Sequence, residues 1–175
     1  MIKSVYQYGL GMLLLLLLPI LDVSGKEINN KHYKFGLSIP TTMVEIKDTN
    51  NIKDEELYFD TSAGIVLLIT ARSSKFKSVN DYIDCSKEGL EQQLQKVYDD
   101  SSLILLSCQK PEKQSNKTTI LHFRVSTLPN GYNTYLIYFI HHNHKDIQIS
   151  FTYNGKKEQE SALYIDNIIK TITLR

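Results

Sequence analysis

Apolar residues in this chain recur with two different periods, and the switches between them mark the elements. Phe35, Leu37 and Ile39 alternate over 34–39 and Pro40 ends the run, as a proline does at a strand's edge. Short strands are expected at 43–46 and 57–59, around a polar loop over 48–56. The stretch 65–70 is continuously apolar and β-branched, which predicts a strand covered on both faces. Over 78–98 the period becomes helical, with Val79, Tyr82, Ile83, Ser86, Leu90, Leu94 and Val97 on one stripe. Ser78 is placed to cap that helix, with Asp81 as the capping-box acid and Gly89 allowing close approach to a sheet.

After this helix the period returns to two. A strand is expected over 103–108, then a polar turn over 113–117. The segment 119–126 turns Leu121, Phe123 and Val125 inward, with His122 and Arg124 outward. Pro129-Asn130-Gly131 marks a turn. The next strand, 133–141, is apolar on both sides and belongs in the middle of a sheet. A turn at 143–145 leads to a strand with Ile147, Ile149, Phe151 and Tyr153 on one face. Ala162, Ile165, Ile168, Ile169 and Ile172 form a second helical stripe over 158–170, and the last residues return to extended structure. Consecutive strands joined by short turns predict an α+β fold, with an antiparallel sheet and helices on both faces, an α/β/α sandwich.

The beginning of the chain has a different character. Lys3, an apolar block over 10–21 and the small residues Val23-Ser24-Gly25 have the order of a secretory signal. We read 1–25 as a cleaved signal peptide and 26–175 as a single domain. A retained membrane anchor is the rival, although the apolar block is shorter than the ~20 residues a spanning helix needs. The expected localisation is periplasmic or secreted, with no membrane contact after signal cleavage. Removing Lys3 and Asp22 from the 20 basic and 19 acidic residues leaves 19 and 18, a balance that supplies no electrostatic case for nucleic acid or an anionic membrane. Lys75-Phe-Lys77 and Lys156-Lys157 read as solvated surface.

Candidate chemistry is sparse. Cys85 and Cys108 are the two cysteines, and export favours a disulfide between them. Closing that loop adds ~3–4 kcal/mol in the entropic model. On a helical wheel, however, Cys85 points sideways rather than at the sheet, so two free thiols are the alternative. His141, His142 and His144 crowd one turn and are candidate ligands for Zn²⁺ or Ni²⁺. Adjacent residues of a strand face opposite ways, so at most two are usable together. Asp99-Asp100 reads as a helix-exit turn. His122, Arg124, Tyr132 and Tyr135 are candidates for a partner-binding surface, which tyrosine suits. Asn116-Lys-Thr118 matches the glycosylation sequon. No phosphate loop, nucleophile elbow or paired-cysteine metal motif is present in the sequence.

The opening Tyr33-Lys-Phe-Gly-Leu-Ser-Ile-Pro40, the closing Ile165-Asp-Asn-Ile-Ile-Lys-Thr-Ile172, and the central helix and four-strand meander between them resemble the PsbP-like family, including its exported bacterial PsbP/DcrB-like members. Met43 stands where many relatives place a tryptophan after the proline. The resemblance implies a sandwich without enzymatic activity, used as a binding or accessory module, and carries over no site residue and no cofactor. Together these readings predict an exported, non-enzymatic protein of the bacterial envelope that acts through protein–protein interaction, in its sharper form an immunity protein against a delivered toxin. The alternative is a periplasmic small-molecule or metal-binding protein using the histidine hairpin.

Overall fold

A computed structural model describes residues 25–47, 55–77, 79–81, 86–98, 102–109, 112–115, 118–127 and 133–175. Residues 1–24 of the expected signal peptide, Ser78, Tyr82, Ile83, Cys85, Asp99-Asp100, Asn116, the turn at 129–131 and Tyr132 lie outside the described residues, whereas Gly25 already belongs to the first strand. The elements run β1 (Gly25–Asn30), β2 (Phe35–Pro40), β3 (Val44–Glu45), β4 (Glu55–Asp60), β5 (Ile65–Ser73), α1 (Lys87–Tyr98), β6 (Leu103–Cys108), β7 (Glu112–Ser115), β8 (Thr118–Thr127), β9 (Asn133–His142), β10 (Lys145–Asn154), α2 (Glu158–Ile169) and β11 (Thr173–Leu174).

The main sheet is antiparallel throughout, in the order β3-β4-β5-β10-β9-β8-β6, with β7 also paired to β8. A smaller sheet, β1-β2-β11, stands apart from it. The turn expected at 113–117 begins with strand pairing instead: β7 continues the edge along β8 after β6 ends. The opening strand β2 is central to the small sheet rather than part of the large one, because β1 pairs it along its whole length.

One strand joins two cores. On β9, Tyr138 and Ile140 belong to a cluster with Ile147, Ile149 and Phe151 of β10, Leu67 and Ile69 of β5, Phe35, Leu37 and Ile39 of β2, and Ile165 and Ile168 of α2. Ile137 and Phe139, on the other side of the same strand, pack with Leu121, Phe123 and Val125 of β8, Leu105 of β6, and Leu90 and Leu94 of α1. The strand expected to be apolar on both sides is therefore buried on both sides. The same expectation fails for β5, whose residues alternate between buried and half-buried. Among the described residues, the apolar cluster beneath α1 draws on β6, β8 and β9 of the strands.

α1 starts later than its sequence pattern suggests. Val79–Asp81 form a 3-10 turn, and the α-helix begins at Lys87. Ser86, not Ser78, is the observed cap: its side chain accepts from Gly89 N at 3.1 Å and its carbonyl from Leu90 N at 2.9 Å. Asp81 accepts from Lys77 N at 2.9 Å.

Two glycines answer local constraints, one of backbone conformation and one of space. Gly64 closes the β4–β5 hairpin with φ +66°, the left-handed region that glycine enters without steric cost. At Gly36 a Cβ would lie 2.7 Å from Thr173 Oγ1, so the missing side chain lets β11 dock on β2.

Asp60 ties α2 to the β4–β5 hairpin. Its carboxylate is buried and accepts from Thr42 Oγ1, Ser62 N, Ser62 Oγ, Ala63 N and Tyr164 Oη at 2.5–3.0 Å. Burial pushes the Asp60 carboxyl up, but the hydrogen bonds from Ser62, Thr42, Tyr164 and Ala63 outweigh it and hold the group well below the ordinary carboxylate range. Burial and the Asp60 carboxylate correspondingly push the Tyr164 phenol up. Asp60→Asn is expected to lower unfolding free energy at neutral pH by ~2 kcal/mol, the scale of a lost charge-assisted network. Because the folded carboxyl titrates below the unfolded value of about 3.9, its stabilisation is complete above that value and fades as pH falls below it. The gap between urea melts of the two proteins should therefore be constant above about pH 4, narrow steadily as pH falls below it, and close only below the folded-state value. A gap that does not narrow below about pH 4 would assign the loss to packing alone.

Candidate functional site

The three crowded histidines are built by a two-residue hairpin. Asn143 and His144, between β9 and β10, have φ +51° and +59°, the positive pair that a type I′ turn requires. That turn places Asp146 opposite His141 and Lys145 opposite His142. His141 is buried, with Nδ1 2.9 Å from the Asp146 carboxylate, which is also buried. His142 Nδ1 lies 2.7 Å from Thr118 Oγ1. His144 Nδ1 donates to the Phe76 carbonyl at 3.2 Å. The rings of His141 and His144 stand 6.4 Å apart and nearly perpendicular. Each candidate ligand thus has a different hydrogen-bond partner, and no group of three metal-binding side chains occurs among the described residues.

Register extends this row across four strands. Thr119 of β8, His141 of β9, Asp146 of β10 and Arg72 of β5 lie side by side. Arg72 Nε is 3.6 Å from Asp146 Oδ2. Arg72, Ser73, Ser74, Lys75, Phe76 and Asp146 line an open cleft of about 500 Å³. Arg72 and Asp146 are 74 residues apart in sequence and carry no motif, so only the β5–β10 register reveals them.

The expected partner surface divides. His122 and Arg124 of β8 share one face, and the neighbouring strands add Tyr138 and Tyr153. His122 meets Tyr138 edge-on, with ring centroids 5.2 Å apart. Burial pushes the His122 pKa down, favouring the neutral ring, against the pull of Glu112 and Asp166. Tyr138 is pushed up to about 12, first by burial and then by Asp166 and Tyr153. Arg124 pairs through Nη1 with Glu158 at the start of α2, while its buried Nε has no hydrogen-bond partner. Tyr135 does not join this group. It pairs with Val125 and packs on the opposite face, beside the α1 core. Strand alternation separates residues that sequence proximity had grouped.

A second feature lies beyond α1 on the α1 side of the sheet. Leu57 pairs with Leu68, Phe59 with Val66, and Glu55 with Thr70, while Gln148, Ser150 and Thr152 of β10 continue the three rows. Leu57, Phe59, Val66 and Leu68 are half-buried, and none belongs to either buried core cluster. Four sizeable apolar side chains thus share one half-face with threonine and glutamine.

Cys108 is a free thiol, half-buried, with Sγ 3.3 Å from the Gln109 carbonyl. The expected bridge to Cys85 is not formed in the structure, and Cys85 itself lies outside the described residues. Burial pushes the Cys108 thiol up, lowering its thiolate fraction. Cys108 is therefore expected to take a maleimide label without prior reduction, and more slowly than a fully exposed cysteine. Peptide mapping after labelling checks this; labelling at 108 that requires a reductant would restore the disulfide.

No family model and no curated protein matches the chain. Solved structures do. The solution structure of the cyanobacterial PsbP, CyanoP, from Synechocystis sp. PCC 6803 superimposes with a TM-score of 0.68 over 90% of this chain and 96% of that one, at 9% identity. A crystal structure from Bacteroides thetaiotaomicron VPI-5482 gives a TM-score of 0.52 over 86% of this chain and 48% of that one, at 15% identity. The likeness to CyanoP over nearly the whole of both chains gives this chain a PsbP-like fold.

Proposed function

We propose that this chain is an exported, non-enzymatic binding module that acts by contact with another protein in the bacterial envelope. The observation that carries this reading is the half-face formed by Leu57, Phe59, Val66 and Leu68 with Thr70, Gln148 and Thr152. Apolar centres rimmed by polar groups suit recognition of a protein surface. On this reading the fold is an α/β/α sandwich in which α1 covers one half of its face and a partner covers the other. α2 and the small sheet cover the opposite face. The leader-like segment over 1–25 directs export to the periplasm or the medium.

The sharper form is immunity, in which the partner is a toxin delivered by a neighbouring cell. A small exported domain can neutralise such a protein by occluding its active surface, without chemistry of its own.

The test combines location and contact. Expression of the full chain in a bacterial host should yield a periplasmic protein whose N-terminal sequence begins at Lys26. Chemical cross-linking in cells of the native host should then give a discrete heterologous adduct. Phe59→Asp and Leu68→Asp should reduce that adduct at least tenfold, with melting temperatures within a few degrees of the parent. Undiminished adducts in both variants would remove this half-face from the proposal. A cytosolic protein retaining its first 25 residues would remove export.

A further inference from the structure

The formal charge of the whole chain is only +1, yet one end of the molecule concentrates cations. Three chain segments meet there. Lys145 Nζ donates to the His32 carbonyl at 3.1 Å, joining the β9–β10 hairpin to the β1–β2 turn. Ser74 N donates to the His144 carbonyl at 2.7 Å, joining the segment after β5 to the same hairpin. These bonds gather Lys31, Lys34, Arg72, Lys75, Lys77 and Lys145 from three separate stretches of sequence. Of the acids at this end, Asp146 is engaged by His141 and Arg72, and Asp81 accepts from Lys77 N. Glu55 stands farther along, opposite Thr70.

The cleft of about 500 Å³ opens within this end. Its guanidinium is positioned in an unusual way. Arg72 is 70% exposed, while the carboxylate 3.6 Å from its Nε is 5% exposed. That carboxylate is oriented in turn by the buried His141. A chain from buried imidazole through buried carboxylate to exposed guanidinium restrains the head group and turns its remaining donors outward. Lys75 Nζ lies 5.8 Å from the Phe76 ring centroid, which holds a second positive charge over the same wall. Ser74 Oγ accepts from Phe76 N at 3.3 Å, and the hydroxyl's own proton remains to be donated. A planar fork, a point charge and hydroxyl donors around an open cleft are the groups that recognise tetrahedral oxyanions.

We propose that this cleft binds a phosphate-class oxyanion, with Arg72 and Lys75 as the contacting cations, Ser73 and Ser74 as hydroxyl donors, and Asp146 and His141 as positioning residues. Lys31, Lys34, Lys77 and Lys145 supply attraction at longer range, which salt screens. The oxyanion can come from a free phosphate compound or from a phospholipid headgroup.

The test uses the protein recovered after expression of the full chain. Inorganic phosphate is titrated in while amide shifts are followed by NMR, and sedimentation with phosphatidylglycerol vesicles is compared with phosphatidylcholine vesicles. Saturable shifts confined to 72–76 and 144–146 support a free phosphate source. Preference for phosphatidylglycerol without those shifts supports a headgroup source, provided Arg72→Gln abolishes it. Arg72→Gln and Lys75→Gln alter exposed side chains, so their melting temperatures should hold while the response falls at least tenfold. Asp146→Asn should weaken it by a smaller factor. The paired Lys31→Gln/Lys34→Gln variant serves as the charge control. If it weakens the response as much as Arg72→Gln does, the attraction is diffuse and the proposed site is wrong. No saturable shift and no preference for phosphatidylglycerol would also overturn it.

Discussion

The register of the β9–β10 hairpin is the constraint on which the rest depends. A two-residue turn with both φ angles positive fixes His142 against Lys145, and ten consecutive pairs follow from it. Slipping the pairing by one residue would send Ile147, Ile149 and Phe151 to the side now occupied by Asp146, Gln148 and Ser150. The cost is prohibitive because Ile147, Ile149 and Phe151 are fully buried, and each contributes roughly 1.5–3 kcal/mol by burial. β10 then carries this register to β5, closing the sheet between strands far apart in sequence. The His141–Asp146–Arg72 row and the paired rows beyond α1 are both products of that one alignment.

Much of this was legible in the pattern of apolar residues. β9 reads as apolar on both sides and is buried on both sides, because two cores need one shared strand. The α2 stripe at Ile165 and Ile168 is likewise found in the core, though Ala162 is exposed while Ser161 is buried. β1 and β7 escaped because their polar residues carry no alternation: GKEINN and EKQS pair through backbone hydrogen bonds that any side chain permits. The start of α1 was misplaced because Val79 continues the helical stripe while sitting in a 3-10 turn, where it is buried all the same. Period reports which residues face the core, and a short turn ahead of a helix can satisfy the same period without hydrogen bonds of the α type.

The site was less legible, for a reason that can be stated physically. Counting charges along the sequence yields +1 and pairs Lys75 and Lys77 with nearby acids. Folding re-sorts those neighbours. Two hairpin turns and the end of β5 are brought together by the Lys145–His32 and Ser74–His144 hydrogen bonds, and the cations they carry accumulate at one end. The histidines suffer the opposite fate. Adjacent in sequence, they are divided by strand alternation among Asp146, Thr118 and the Phe76 carbonyl. Proximity along the chain overstated one cluster and concealed another.

Edge and face are treated differently in this sheet, and the contrast bears on how it meets other molecules. An apolar edge strand such as LILLSC of β6 is a template for unwanted strand addition. Here α1 blocks it with side chains: Glu91 Oε2 accepts from Leu105 N at 2.6 Å, and Gln95 Nε2 donates to the Leu103 carbonyl at 2.7 Å. Two outward backbone groups of β6, Leu105 N and the Leu103 carbonyl, are thus satisfied within the chain, and the register shift between Leu105 and Ser107 interrupts the edge beyond them. The helix that seals this edge sits over β6, β8 and β9, and its twelve residues do not also provide the core beneath β10, β5 and β4. Among the described residues, guarding the edge and leaving a half-face without helix-packed core are therefore two consequences of where one short helix lies. A partner that reads side chains across paired strands fits this arrangement better than one that adds a strand to it.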